Sequence, residues 1–324
     1  MNVVSNKLTL RYEQRTSVAQ EASNWPFIVY FVVAVVSTPL YIAIVAKLFR
    51  NRNNRKFSST FYTLLLSQGF ADIFYIFCYT IFYMLSYVGT IKDIGTFFKW
   101  TLANISYKFL YYSLNLRYVG VTLISLQRYL TICKWRSTWI KQISSLPRYV
   151  IFLVHWTVSL LLIIPILTLD SIRFGCVCKQ MVAIDPDDFR VSTINSEVIV
   201  LATFLLCVVF YVMTIHYVYA NRKRERQLKA EIRLCVPVAA LVFAFFLIFL
   251  YHLIQLIWVT IYHEQYRALR VLEPLFSGFL SFFTPWMLLL SNREIASLFA
   301  SFTKVSAPVR RDTTHHRTGE SNYF

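Results

Sequence analysis

Seven apolar stretches, each long enough to cross a lipid bilayer, recur along this chain of 324 residues. A helix needs about 20 mainly apolar residues to span about 30 Å of hydrocarbon, and every stretch meets that length. The third stretch is the most polar of them. We therefore predict an all-α membrane protein whose fold is a seven-transmembrane helix bundle. The predicted spans are 27–49, 60–88, 97–132, 149–169, 194–219, 236–261 and 269–290.

The composition excludes a soluble protein. Hydrophobic residues make up 57% of the chain, and the mean hydropathy is +0.51. A soluble domain of this length does not sustain apolar runs that are so long and so frequent.

Basic residues are concentrated in alternate connections between the predicted spans. If the N-terminus is outside, the cytoplasmic segments 47–56, 128–148, 222–233 and the tail from residue 293 contain 21 Lys and Arg, whereas the outer segments contain 10. This bias predicts an outside N-terminus and a cytoplasmic C-terminus. Because the basic residues border the spans and form no groove-sized patch, we expect the lipid bilayer as a partner and no nucleic acid.

We divide the chain into three segments. Residues 1–26 are predicted to be an extracellular N-terminal segment, and they lack the apolar core of a cleaved signal peptide. Residues 27–291 form the predicted transmembrane domain. Residues 292–324 form a cytoplasmic tail, disordered from about residue 307. In the second outer loop, the run at residues 185–188 (DPDD) predicts a solvated turn.

The six cysteines do not predict a disulfide framework. Cys176 and Cys178 lie in the second outer loop, where a bridge between them, an intermolecular bond and two free thiols all remain open. The others lie within spans or near cytoplasmic ends, where thiols stay reduced. These are Cys78, Cys133, Cys207 and Cys235.

Catalytic chemistry has no support in the sequence. It contains no HExxH, GxSxG, P-loop or paired-carboxylate arrangement. We therefore expect no catalytic residue and no enzyme activity. We also expect no cofactor and no metal site.

Asp72 and Arg117 are predicted to lie near the middle of the membrane. Arg117 lies 11 residues before Arg128, which is roughly 16 Å deeper along a helix at about 1.5 Å per residue. An unpaired charge at that depth costs at least about 2.5–3.5 kcal/mol. We predict that the guanidinium and the carboxylate pair with each other. The alternative is that each faces water or backbone carbonyls separately.

Polar side chains recur on the outer halves of the third, sixth and seventh spans. Three residues at i, i+4 and i+7 share one face of the third helix, and an i, i+3 polar pair lies in the sixth. Apolar walls with a few convergent polar groups are typical of a small-molecule pocket, although helix packing alone also produces aromatic stripes. The candidate pocket residues are Tyr107, Lys108, Tyr111, Leu114, His252, Gln255 and Glu273.

Several motifs match those of rhodopsin-like G-protein-coupled receptors. Residues 127–129 (QRY) stand where that family has an acid-Arg-Tyr triplet, and residues 71–72 (AD) match its Ala-Asp element. Trp156, Pro165 and Pro285 lie at the positions expected in the fourth and seventh helices. The chain thus resembles that family.

The chain also departs from the rhodopsin-like pattern in four respects. Gln127 replaces the acid, and residues 284–286 (TPW) replace Asn-Pro. The sixth span lacks the Cys-Trp-x-Pro element, and no Cys lies at the outer end of the third span.

A narrower resemblance covers all seven spans. It is clearest at residues 61–72 (FYTLLLSQGFAD), 120–131 (GVTLISLQRYLT) and 280–286 (LSFFTPW). These segments are similar to nematode serpentine chemoreceptors of the Srg superfamily, and to class V within it.

This resemblance implies a G-protein-coupled chemosensory receptor, multi-pass in the plasma membrane. Such a receptor binds an extracellular small molecule and signals to a heterotrimeric G protein. In rhodopsin-like receptors the acid that corresponds to Asp72 holds sodium, so Arg117 would stand in the ion's place. Loss of the acid beside Arg128 implies a weak lock on the inactive state. The implied G-protein coupling residues are Arg128, Tyr129, Lys134, Arg222 and Arg224.

Three alternatives to the receptor remain. A ligand-gated channel of the insect odorant-receptor kind has its N-terminus inside, against the charge bias. A transporter is expected to contain internal repeats and broken mid-membrane helices, and the sequence has no repeat. A chain that folds and traffics without signalling has the same sequence features as the receptor. Homo- and hetero-oligomers both remain open.

Overall fold

The structure is a computed structural model, and it describes residues 25–54, 57–87, 96–133, 138–170, 172, 186–220, 225–261, 272–291 and 295–296. Within these ranges the regular secondary structure is entirely helical, which confirms the predicted fold class. The helices are α1 (Trp25–Arg50), α2 (Thr60–Tyr87), α3 (Thr96–Cys133), α4 (Thr138–Ser145), α5 (Arg148–Leu162), α6 (Ile164–Leu167), α7 (Pro186–Ala220), α8 (Glu225–Ile261) and α9 (Glu273–Ser291).

Every predicted span coincides with a helix, or, for the fourth span, with the pair α5 and α6. Among the described residues, five helices are each long and apolar enough to cross a membrane, namely α1, α2, α7, α8 and α9. The third helix is more polar because it carries buried groups such as Ser113, Asn115 and Arg117 in the bundle interior. The fourth is an apolar helix of 15 residues that α6 extends.

The fourth span is interrupted at Ile163, two residues before Pro165. Because proline has no backbone N–H, Pro165 cannot donate to the carbonyl of Leu161 and continue the helix. The Ile163 N–H instead bonds back to the carbonyls of Leu160 and Leu161, which ends α5. The span then resumes as α6.

Two helices begin earlier than the sequence analysis predicts, and one additional helix is present. The predicted solvated turn at 185–188 is wrong for residues 186–188, which form the first turn of α7. Proline is favoured at the start of a helix, and the acids that follow it complement the helix dipole. The predicted inner loop at 222–233 is helical from Glu225, in a segment rich in helix formers. The amphipathic helix α4 lies in the predicted second inner loop.

The third helix is the centre of the bundle. It packs against α2, α5, α7 and α8, and the surrounding helices close a ring in which α9 contacts both α8 and α1. Large apolar side chains point away from the bundle, for example Val35 at 65% exposed and Phe77 at 62%. Outward apolar faces on so many helices suit a lipid environment.

A close approach of α3 to α2 and α5 depends on Gly120. A Cβ atom at this position would lie 1.8 Å from Gln68 Oε1 and 2.8 Å from His155 Nε2. The His155 ring is itself fixed, because Nδ1 lies 2.7 Å from Ser67 Oγ and Nε2 lies 2.7 Å from the Leu116 carbonyl. The three helices therefore meet with no room for a side chain.

Cys78, Cys133, Cys207 and Cys235 are free thiols, as the sequence analysis predicts. Cys176 and Cys178 lie outside the described residues, so their pairing stays open. The predicted disordered tail from about residue 307 also lies outside them.

Candidate functional site

A partly open cleft lies between α3, α7, α8 and α9, in the half of the bundle that the charge pattern places outside. Its cavity volume is only about 20 Å³. A larger ligand therefore enters only if side chains or helices move. The lining residues are Tyr111, Leu114, Asn115, Tyr118, Thr193, Ser196, Glu197, His252, Gln255 and Glu273.

The cleft contains most of the pocket residues proposed from the sequence. Tyr107 and Lys108 are not among its lining residues. The Tyr107 hydroxyl donates to Ser192 Oγ at 2.7 Å, and Lys108 Nζ lies 3.8 Å from the exposed carboxylate of Asp170. The predicted residues that line the cleft are Tyr111, Leu114, His252, Gln255 and Glu273.

Sequence reasoning missed half of the lining. The sequence does contain an indication for Glu197, because a carboxylate within an apolar stretch needs a polar partner in the membrane, as Asp72 does. No comparable pattern marks the small polar and aromatic residues. The missed residues are Asn115, Tyr118, Thr193, Ser196 and Glu197.

Glu197 and His252 connect α7 to α8 across the cleft. Oε1 of Glu197 lies 3.0 Å from Nδ1 of His252, and both side chains are close to buried at 10% and 12% exposed. The Tyr118 hydroxyl lies 3.5 Å from His252 Nε2 and extends the contact to α3. The Tyr118 ring is held by stacking on Phe245 at 5.2 Å between centroids. Three helices thus meet at one imidazole on the cleft wall.

The structure brings Asp72 and Arg117 into direct contact. Nε of Arg117 donates to Oδ1 of Asp72 at 3.0 Å, and both side chains are fully buried. Arg117 also donates to the side chain and the carbonyl of Ser277 on α9. Its guanidinium lies over the Tyr75 ring, 4.1 Å from the centroid.

The Asp72 carboxylate also accepts hydrogen bonds from three other side chains. Tyr41 on α1 donates to Oδ2 at 2.6 Å, and Ser281 on α9 donates to Oδ1 at 3.0 Å. Gln68 Nε2 lies 3.3 Å from Oδ1, one turn earlier on α2. Buried charges are tolerated when they are both paired and hydrogen-bonded. This network joins α1, α2, α3 and α9 at mid-bundle depth.

The predicted coupling residues of the third helix lie at its inner end. Arg128 is 4% exposed, and its guanidinium lies 3.4 Å from the centroid of Phe61 on α2. Tyr129 stacks on Phe210 of α7 at 5.8 Å. Gln127 donates to Thr131 within α3 at 2.9 Å. The other predicted coupling residues, Lys134, Arg222 and Arg224, lie outside the described residues.

Residues 30–305 match the family model described as "Serpentine type 7TM GPCR chemoreceptor Srv". The match covers more than half of the chain and all the transmembrane helices from Tyr30 onward. No curated protein matches the chain.

Proposed function

Because this chain belongs to the serpentine seven-transmembrane chemoreceptor Srv family, we propose that it binds an extracellular small molecule in the outer cleft and signals to a heterotrimeric G protein. Members of this family are receptors and not enzymes. The proposed location is the plasma membrane. The three sequence segments described above further support a place for the family within the Srg superfamily.

The Glu197–His252 contact is the observation that carries this proposal. It joins α7 to α8 beside the cleft. The inner ends of the same two helices, at Ala220 and Glu225, are separated by a short connection. That connection contains Arg222 and Arg224, which we propose meet the G protein. A ligand that changes the spacing of α7 and α8 outside would therefore act on a coupling segment inside.

The mechanism is a shift between two arrangements of the bundle. A ligand favours the active arrangement only by its difference in affinity for the two states. The lining combines Tyr111, Leu114 and Tyr118 with polar and charged side chains, so it favours a small molecule that has several hydrogen-bonding groups.

Loss of the His252 imidazole should weaken the response to any activating compound. We expect His252→Ala or Glu197→Gln to raise the half-maximal concentration at least about tenfold. The first variant removes the hydrogen bond between His252 and Glu197, and the second removes the negative charge that faces the imidazole. The measurement is G-protein activation in cells that express the full chain, with a library of small odorants that carry hydrogen-bonding groups as the probe. Lys108→Gln is the matched control, since Lys108 is not a lining residue.

Equal losses in all three variants would contradict the assignment of the cleft. An active compound whose response is unchanged in His252→Ala and Glu197→Gln would place the ligand elsewhere while leaving G-protein coupling intact. Surface expression of each variant is measured in parallel, so that a loss of signal is separated from a loss of protein.

The inner end of α3 offers a second test. We expect Gln127→Glu to lower ligand-independent signalling several-fold, because a carboxylate beside Arg128 restores the acid that rhodopsin-like receptors have there. We expect Arg128→Ala to abolish coupling. The readout is basal nucleotide exchange on the G protein, normalised to receptor at the surface. An unchanged basal level in Gln127→Glu would show that the missing acid does not set the resting state.

Family membership favours the receptor over the two other membrane proteins considered. A channel of the insect odorant-receptor kind would have the opposite orientation, and a transporter would be expected to have repeated halves. The experiments above also separate a signalling receptor from a chain that folds and no longer couples.

A further inference from the structure

A second cleft lies at the opposite end of the bundle, between the inner ends of α1, α2 and α5. Its volume is about 170 Å³. The walls are mainly apolar and aromatic, and two arginines stand at the edge. The lining residues are Leu48, Phe49, Arg52, Phe57, Tyr62, Thr63, Leu66, Arg148, Tyr149 and Phe152.

The two arginines are held in place without being neutralised. Nη1 of Arg52 donates to the Phe49 carbonyl at 3.0 Å, and its guanidinium lies 4.0 Å from the centre of the Phe49 ring. Nη1 of Arg148 donates to the amide oxygen of Asn53 at 3.0 Å. Within the described part of the chain, neither guanidinium contacts a carboxylate. Their polar contacts are with neutral oxygens, so both keep their positive charge and most of their donor groups.

The surrounding sequence supplies no acid to balance these charges. Residues 47–71 contain Lys47, Arg50, Arg52, Arg55 and Lys56 and no Asp or Glu. Residues 117–169 also contain no Asp or Glu. The local field is therefore positive throughout, and it attracts anionic groups at the cytoplasmic membrane surface.

The cleft lies at the predicted cytoplasmic boundary of the membrane, because its lining comes from the ends of three predicted spans. Its arginines come from the turn that follows Arg50 at the end of α1 and from the first residue of α5. Two of its apolar walls face outward, since Phe49 is 46% exposed and Tyr149 is 71% exposed. Lipid acyl chains surround these side chains in a membrane. A molecule with an anionic head and an apolar body fits both parts of the site.

We propose that this inner cleft binds one anionic phospholipid of the cytoplasmic leaflet. The phosphate lies between the guanidinium groups of Arg52 and Arg148, where paired N–H donors match its oxygens. The first part of an acyl chain lies against Phe49 and Phe152. Because α1, α2 and α5 all contribute, the bound lipid links three helices on the cytoplasmic side. This site is separate from the outer cleft and does not depend on the proposed signalling function.

The test is lipid binding by the purified full-length protein in detergent. Lipid is added in increasing amounts, and native mass spectrometry measures how much is bound. The probes are dioleoyl phosphatidylserine and dioleoyl phosphatidylcholine. We expect phosphatidylserine to bind more tightly. Arg52→Gln or Arg148→Gln should each weaken its binding about fivefold, because each removes direct hydrogen bonds from a guanidinium to the phosphate. The double variant should weaken it about 25-fold if the two act independently.

Two controls make the test specific to the cleft. Arg50→Gln removes an exposed charge that does not line the cleft, and it should leave phosphatidylserine binding within about twofold of the parent. Arg52→Lys keeps the positive charge but removes the paired N–H donors of the guanidinium. We therefore expect a smaller loss of phosphatidylserine binding than in Arg52→Gln. Inorganic phosphate and glycerophosphoserine, as soluble anions, should not displace the lipid, because they lack the acyl chains.

Several outcomes would overturn the proposal. Equal losses in Arg50→Gln and Arg52→Gln would mean diffuse attraction to the basic loops and no defined site. Equal binding of the two lipids would exclude recognition of the charge. Displacement by inorganic phosphate at similar concentration would assign the arginines to a free anion. Thermal unfolding without lipid verifies that each variant is folded.

Discussion

Replacing Arg117 with leucine should lower the stability of the receptor by about 3–5 kcal/mol and remove most of it from the cell surface. The substitution leaves Asp72 fully buried with no cation beside it, and breaking a buried pair on one side costs about this much. It also removes the contacts to Ser277 on α9. The measurements are surface labelling of a tagged N-terminus and thermal unfolding in detergent.

A double-mutant cycle separates the charge pair from the rest of the network. Asp72→Asn alone should also be destabilising, because it leaves the guanidinium unpaired. The double variant Asp72→Asn/Arg117→Leu should be more stable than the sum of the single losses predicts, since neither charge remains buried alone. Additive losses would show that the two charges do not stabilise each other. Lys108→Leu is the control, because its partner Asp170 is exposed and such pairs contribute at most about 1 kcal/mol.

Adding a single methyl group at Gly120 should destabilise the bundle by about 2–4 kcal/mol. Alanine normally favours a helix by about 1 kcal/mol over glycine. Here the new Cβ atom would lie 1.8 Å from Gln68 Oε1 and 2.8 Å from the imidazole of His155. Overpacking costs about 1–3 kcal/mol, and breaking a buried hydrogen bond of His155 adds about 1–3 kcal/mol. The measurement is thermal unfolding of Gly120→Ala beside the parent.

The cause of that loss can be tested with a second substitution. Gln68→Ala removes the nearer obstacle, so Gly120→Ala/Gln68→Ala should recover part of the stability lost in Gly120→Ala. Ser125→Ala, which changes a buried hydroxyl bonded within α3, is the control and should cost no more than about 1 kcal/mol. If Gly120→Ala is as stable as the parent, α3 does not approach α2 and α5 this closely.

The sequence was sufficient for the architecture because the membrane imposes a length on each helix. Residue hydropathy places every span. Hydropathy did not reveal where helices continue beyond the bilayer. The charged residues at the start of α8 have low hydropathy, which predicts a loop, although their helix propensity is high.

The two polar sites differed in how far the sequence could specify them. The contact between Asp72 and Arg117 could be predicted from their similar depth in the membrane, because two charges in hydrocarbon have few other partners. The outer cleft depends on which helix faces meet, and spacing within one helix does not determine that. Tyr107 shares a helix face with Tyr111, yet it bonds Ser192 and does not line the cleft. Glu197 was missed although it is a carboxylate within an apolar stretch, and its partner, His252, lies on a different helix, α8.

In the proposed receptor, the Glu197–His252 cleft faces the outside of the cell, while Arg128 and the connection between α7 and α8 face the cytoplasm. Antibody accessibility of a tag at each terminus, in intact and then permeabilised cells, tests this most directly. The receptor account predicts an N-terminal tag that is labelled in intact cells and a C-terminal tag that is labelled only after permeabilisation. The reverse pattern would place the cleft inside and contradict G-protein coupling through Arg128.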